Sequence, residues 1–340
     1  MKMRDTGCTG LRYGAKIYPE DTAGFFSMND TNGYWFVDGD KSTGGGGKSW
    51  EDAFATIVAA EAAASAGDTI FVAAKTVAAT DTDPDSYTEN LTINTPQLSI
   101  IGVSRGRTQG GLPQVKVGTT TTSPIFTIAA PGVLIANLGF NGSGATGGGI
   151  LLDDDEGSTK SCFGWTIANC HFKNCVGTTA TDCRTGGAVT IGSRGNAWQG
   201  LLIGCKFYKC VGDFVLQGTS GSIPQDITIE DCIFSGPAAN VDCNIFAMGG
   251  GDGINGLTIR NCEFPAMPAI GSGSVARYFD LTGCVGMISG CRFASITSPT
   301  GSEVTFAAAG TGGKLPAAMH IVDCFGETTT TAETGEIFRT

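Results

Sequence analysis

Several groups of side chains in this chain have the types and spacings that chemistry uses. Cys170 and Cys175, and Cys205 and Cys210, share a C-x4-C spacing that two thiolates could offer to a metal. The run Asp153-Asp154-Asp155-Glu156 could hold a hard cation through its oxygens. Two carboxylates at a set separation would cleave a glycosidic bond. Gly clusters at 44–47, 147–149 and 249–251 invite a test for a phosphate loop. No outward acidic pair recurs on one strand column, though loops can supply two carboxylates out of register, and the other groups read as structure. In each Cys pair the first thiol is followed two residues later by Phe172 or Phe207, and free Cys packs as a small hydrophobe. Four consecutive acids point in different directions and lack EF-hand spacing, so 153–156 reads as a solvated loop. GGGGKS lacks the first spaced Gly and the preceding strand of a phosphate loop. The two His, His171 and His320, have no partner that suggests a triad. The outward charges Glu230, Arg260, Glu263 and Arg292 are mixed in sign, as a solvated surface would be. The sequence therefore points to no catalytic, cofactor-binding or metal-ligating residue.

The elements that carry these residues repeat. Aligning NCEF-like segments gives VLIANLGF, WTIANCHF, LLIGCKF, ITIEDCIF, LTIRNCEF, MISGCRF and a weaker MHIVDCFG. The Cys column holds Leu138, Cys170, Cys205, Cys232, Cys262, Cys291 and Cys324, spaced by 32, 35, 27, 30, 29 and 33 residues. Three before it stand Ile135, Ile167, Leu202, Ile229, Ile259, Ile288 and Ile321. Two after it stand Phe140, Phe172, Phe207, Phe234, Phe264 and Phe293, with Gly326 in the last copy. One before it stand Asn137, Asn169, Gly204, Asp231, Asn261, Gly290 and Asp323, the residue types that tolerate the left-handed αL conformation. That column predicts a corner: a strand ends, one αL residue turns the chain, and a second strand starts in the opposite phase.

A further apolar strand follows each Cys column: ILLD, AVTI, FVLQ, IFAM, YFDL, VTFA and EIF. Three short strands, a corner and about 30 residues per turn describe an all-β, right-handed parallel β-helix of roughly 8–10 coils, with Ile, Cys and Phe in interior ladders. A β-sandwich would not repeat one corner residue and one inward Cys in this way.

Composition fits this picture. Gly is abundant, at 52 residues, without a collagen period, and the formal net charge of −11 disfavours nucleic acid as a partner. No stretch is long and apolar enough to suggest a membrane span. The amino terminus has basic residues without the apolar core of a signal peptide, and the thirteen Cys are an odd number. The expectation is a chain made in a cytoplasm with reduced thiols.

Ser49 followed by Asp52 resembles a capping box, and an Ala-rich helix over about 49–66 should cap the first coil. The order aromatic-Val-Asp, Gly-rich stretch, SWEDAFATI, AGDTIFVAA and SYTENLTI resembles the entry segment of the pectate-lyase-like right-handed parallel β-helix superfamily. The resemblance runs over residues 34 to about 325. Residues 77–85 depart from it and suggest an added loop. The superfamily includes lyases, hydrolases, adhesins and phage virion proteins, so it implies a fold more than a function.

Residues 1–33 lack the repeat and read as an arm preceding the β-helix of 34–340. A β-helix with core thiols and no export signal leads to the expectation of a virion structural protein: a capsid decoration or spike on a phage surface. It would dock on a capsid or other virion protein through its arm and assemble as a homotrimer. A tailspike-like glycan depolymerase and a glycan-binding adhesin are the alternatives, with a host surface glycan as their partner.

Overall fold

A computed structural model describes residues 33–76, 85–104, 111–143, 145–153, 161–179, 182–192, 197–217, 224–234, 243–247, 253–265, 277–293, 318–327 and 334–336. They form a parallel β-solenoid with almost no helix. Sheet A stacks ten strands in chain order, from Tyr34–Val37 and Thr69–Ala73 to Val285–Ser289 and Met319–Val322. Sheet B begins with Ser86–Thr88, Gln114–Lys116, Gly139–Asn141, His171–Lys173 and Lys206–Tyr208. Bridges through Ile233 continue it to Glu263–Phe264, Arg292–Phe293 and Phe325–Glu327. Sheet C stacks seven strands, from Leu91–Ile93 to Arg277–Asp280.

Among the described residues seven coils are closed on three sides. The last two described coils have only their sheet A and B sides. The segment VTFA, expected to supply a third side, lies outside the described residues. Thr334–Glu336, which overlaps the expected EIF strand, pairs antiparallel with Phe325–Glu327 instead of extending the parallel stack.

The corner column behaves as its chemistry demands. Asn137, Asn169, Asp231, Asn261 and Asp323 have φ of 57°, 53°, 51°, 53° and 51°, and Gly204 and Gly290 have 64° and 62°. A second αL column, five residues earlier, holds Gln97, Gly132, Gly164, Gln199, Asp226 and Gly256. Its two Gln concealed it in the sequence. Asn174 and Lys209 mark a third, at φ 54° and 55°.

Inside, the ladders form one continuous core. The rings of Phe140, Phe172, Phe207, Phe234, Phe264 and Phe293 stack at centroid separations of 5.0, 5.2, 5.0, 4.8 and 4.8 Å, with neighbouring planes within 13°. Such pairs contribute about 0.5–1.5 kcal/mol each beyond their buried area. The ring repeat is that of parallel strands, so backbone pairing and ring stacking reinforce one another.

The predicted helix is shorter than 49–66. It spans Ile57–Ala63 and is capped by Thr56, whose Oγ1 accepts from the Ala59 amide at 3.2 Å. Ser49 Oγ accepts from Asp52 N at 3.2 Å, but in a turn rather than at a helix start. Gly45 and Gly47 donate backbone hydrogen bonds to Ala53 and Asp52, holding this segment as a folded-back loop. Ile57 and Ala60 join the main core against the first strands.

Candidate functional site

The entry motif proves to be structural. Glu89 is buried, and its two carboxylate oxygens accept from the amides of Ile57 at 3.0 Å and Val58 at 2.8 Å. It thus binds donors that the helix start leaves without an intrahelical acceptor. Burial raises its pKa, and these two hydrogen bonds pull it back. The Tyr87 hydroxyl donates to Ala73 O at 2.7 Å and accepts from Gly39 N at 2.9 Å. Asp68 accepts from Gly33 N, Trp35 Nε1 and Ser65 N at 2.6, 2.8 and 2.8 Å. Asn90 Nδ2 donates to Thr120 O and Pro124 O. These residues tie the first coil together and leave their polar atoms engaged.

The thiols are also structural. All twelve described Cys are free and buried; Cys8 lies outside the described residues. In the ladder, Sγ of Cys170, Cys205, Cys232, Cys262, Cys291 and Cys324 lies 3.6–3.9 Å from a carbonyl of the preceding coil. Burial opposes the thiolate along this ladder, as it does at Cys284, whose pKa is pushed up to about 12. Thiols held this way are poor nucleophiles and poor metal ligands.

Of the outward charges, Arg260 Nη2 pairs with Glu230 Oε2 at 2.7 Å, while Glu263 and Arg292 stand opposite one another in register. His171, expected in a solvated column, is 8% exposed. Asp153 is described, but 154–156 and the cluster at 249–251 are not. Gly147 and Gly149 lie against Ser123, Pro124 and Ala188, so this cluster serves close packing. Among the described residues no group of three or more His, Cys, Asp or Glu could hold a metal, and no helix is long and apolar enough to cross a membrane.

Three features escaped the sequence reading. The first is a buried polar pair in sheet C. Asp213 and Asn244 are both 0% exposed, and Asn244 Nδ2 donates to Asp213 Oδ2 at 2.8 Å. Asp213 Oδ1 and Asn244 Oδ1 have no hydrogen-bond partner. Burial drives the Asp213 pKa well up, with the Asn244 bond pulling it down. A neutral carboxyl explains both orphan oxygens, because its proton on Oδ1 can go to Asn244 Oδ1. Asp280, also buried, accepts from the Thr282 hydroxyl at 3.0 Å on the last sheet C strand.

The second is an apolar column on the outer face of sheet A. Register aligns Phe36, Phe71, Ile101, Ala136, Ala168 and Ile203 on successive rungs, and then Glu230 and Arg260. Phe71, Ile101 and Ala136 form a second buried cluster, with Phe36, Trp50, Leu134 and Ala168 packed on it. The outward charges legible in the sequence begin only where this column ends. The third feature is a set of lysines on sheet B.

The molecule thus belongs by architecture to the parallel β-helices. No family model matches the chain, and no curated protein does. Among solved structures, it is similar to a rhamnogalacturonan lyase at 13% identity, covering 91% of this chain and 90% of that one, with a TM-score of 0.46. A deglycosylated pectin methylesterase from Aspergillus niger matches at 14% identity over 90% and 93% of the two chains, with a TM-score of 0.45. The pectate lyase Pel9A matches at 12% over 90% and 79%, with a TM-score of 0.42. All three are parallel β-helix folds, and the likeness is confined to the course of the chain.

Proposed function

We propose that this chain is a structural component of a surface assembly, of the capsid-decoration or spike type found on phage particles. In this reading it docks through residues 1–33 and assembles as a homotrimer. The observation that carries it is the outer column of sheet A. Phe71, Ile101 and Ala136 in that column are already buried within the chain, and the half-buried Ala168 and Ile203 extend it towards a partner, because parallel sheets are normally covered on both sides. The column begins at Phe36, beside Gly33, where the arm joins the solenoid. Twelve buried Cys described outside any disulfide suit folding in a reducing compartment, as a protein assembled inside a host cell would require.

The test is deletion of residues 1–30. The truncated chain should keep its cooperative unfolding and lose attachment to its particle. Retained attachment would reject the arm as the docking segment. A change of Ile203→Glu should lower the oligomeric state in solution; an unchanged mass would show that the column is not an interface between copies.

A second reading, glycan cleavage, draws on Asp213, since a carboxyl held neutral by burial is what a general acid requires. Against it, neither Asp213 nor Asp280 is exposed to a substrate in the described residues. Incubation with host polysaccharide, read as new reducing ends or unsaturated sugar absorbance, distinguishes the readings. Turnover lost in Asp213→Asn or Asp280→Asn would replace the structural reading with the enzymatic one.

A further inference from the structure

The two outward columns of sheet A carry no charged side chain from the Tyr34 strand to the Ile203 strand, in a chain with a formal net charge of −11. On the last two of these rungs the uncharged face is open. Ala168, Leu201 and Ile203 are half-buried, and the corner leading into the sheet adds Phe163 and Trp198, 44% and 39% exposed. Of the exposed large apolar side chains described, only these two stand on adjoining rungs. Their backbones are fixed. Gly132 N donates to Phe163 O at 2.9 Å, Gly164 N donates to Trp198 O at 2.8 Å, and each ring precedes an αL residue, Gly164 or Gln199. Aromatic anchors on a face depleted of charge are the mark of a protein contact. The next rung ends the apolar area with Gln225, Thr228 and Glu230, and its corner is Asp226. Asp226 is exposed and makes no ion pair among the described residues.

One segment of the chain has a matching face. Residues 11–17, LRYGAKI, alternate strictly: Leu11, Tyr13, Ala15 and Ile17 are apolar, and Arg12, Gly14 and Lys16 lie between them. That is the pattern of a strand with one side to bury. Extended, its apolar residues span about 20 Å, against about 17 Å along the coil from Trp198 to Ile203. Residues 1–18 hold four basic side chains, Lys2, Arg4, Arg12 and Lys16, and a single acid, Asp5. They are opposite in sign to Asp226 at the edge of the apolar area. Two solenoid bodies of strong like charge repel one another, whereas a basic arm can reach across. The 15 residues between Ile17 and Gly33 extend to about 50 Å, twice the five strand spacings from the Tyr34 strand to the Leu201 strand.

We propose that the face formed by Phe163, Ala168, Trp198, Leu201 and Ile203 is the seat for residues 11–17 of a second copy, so that copies exchange arms. Leu11, Tyr13 and Ile17 cover the apolar rungs, and Arg12 and Lys16 turn on their long stems to Asp226. This rests on the reading of the outer column as a contact between copies, and it names the segment that makes the contact. The rest of the arm stays available to the particle.

Sedimentation of the full chain reads the contact. The parent should run as an assembly. Ile17→Glu, which breaks the arm, and Ile203→Glu, which breaks the seat, should each fall to the mass of one chain. Mixed together, they should recover a complex of the two different chains, because the intact arm of one meets the intact seat of the other. Thermal melts that match the parent establish that the variants are folded; if Ile203→Glu does not match, Trp198→Glu on the exposed corner takes its place. A mixture that stays at the mass of one chain would overturn the exchange. Ile17→Glu at the parent mass beside Ile203→Glu at a lower one would also overturn it, leaving the column as an interface without the arm. A parent that runs as one chain would overturn both this inference and the column reading.

Discussion

Replacing Asp213 by Asn should change how the stability of this protein depends on pH. The folded chain holds the Asp213 carboxyl at 0% exposure, with a pKa well above its ordinary value because burial penalises the charge. The unfolded chain returns it to water and to an ordinary carboxylate pKa near 3.9. The folded state therefore binds the extra proton. Its stabilising share is complete below the unfolded value and is lost as pH climbs towards the folded one. Across that window each pH unit removes about 1.4 kcal/mol. The Asp213→Asn variant would keep the geometry, since the new amide nitrogen can donate to the orphan Asn244 Oδ1, and it cannot ionise. Glu89 is also raised by burial, but it is present in both proteins and cancels in the difference. The Cys210 thiol beside Asp213 is pushed up from an already alkaline value, so it does not titrate between pH 4 and 8. Urea unfolding of parent and Asp213→Asn over that range gives the stability difference directly. The parent should lose ground to the variant steadily as pH rises. Parallel curves would show that Asp213 is ionised in the fold, and the shared-proton account of the two orphan oxygens would be wrong.

Other expectations follow from the ladders. Asn261→Val puts a β-branched residue at φ 53° and should cost about 1–3 kcal/mol, read as a lower denaturation midpoint. Phe207→Ala removes one ring from the middle of the stack and should cost about 3–5 kcal/mol in the same measurement. Glu89→Ala leaves the Ile57 and Val58 amides without their acceptor and should cost about 1–2 kcal/mol, with the early loss of amide protection confined to the first coil. Native protein should react slowly with a thiol reagent at its twelve core Cys, and reductant should leave its melting temperature unchanged; a large drop would reveal disulfides.

How much was legible varied with how each residue is constrained. The sheet A–B corner could be read because it imposes one backbone conformation in every coil, and only a few residue types accept it cheaply. The Cys and Phe columns could be read because stacking like on like gives each inward position nearly the same neighbours in every coil. The second αL column was not legible, since Gln97 and Gln199 carry no αL signature. The helix start was misplaced because Ser49 and Asp52 do make the local bond of a capping box, while the decisive acceptors, Thr56 and Glu89, act later in the chain and from another strand.

The candidate sites were harder to see for a related reason. Periodicity specifies the interior, and function requires departures from it. Asp213 and Asn244 meet only because adjacent coils bring positions 31 residues apart to one place, and the coils themselves vary from 27 to 35 residues. A pair of polar residues at such an interval has no mark in the chain until the register is known. The lysines of sheet B sit closer to the legible limit. Asn141, Lys173 and Tyr208 stand three residues after the Leu138, Cys170 and Cys205 column, one step beyond the last position that the repeat keeps constant. Residue type is free at that step, as it is at Lys206, Glu263 and Arg292 one residue after the column, because the side chain there faces away from the core, where packing no longer dictates its type. A solenoid of this kind is therefore read in two passes, first for the columns that never change and then for the outward columns that do.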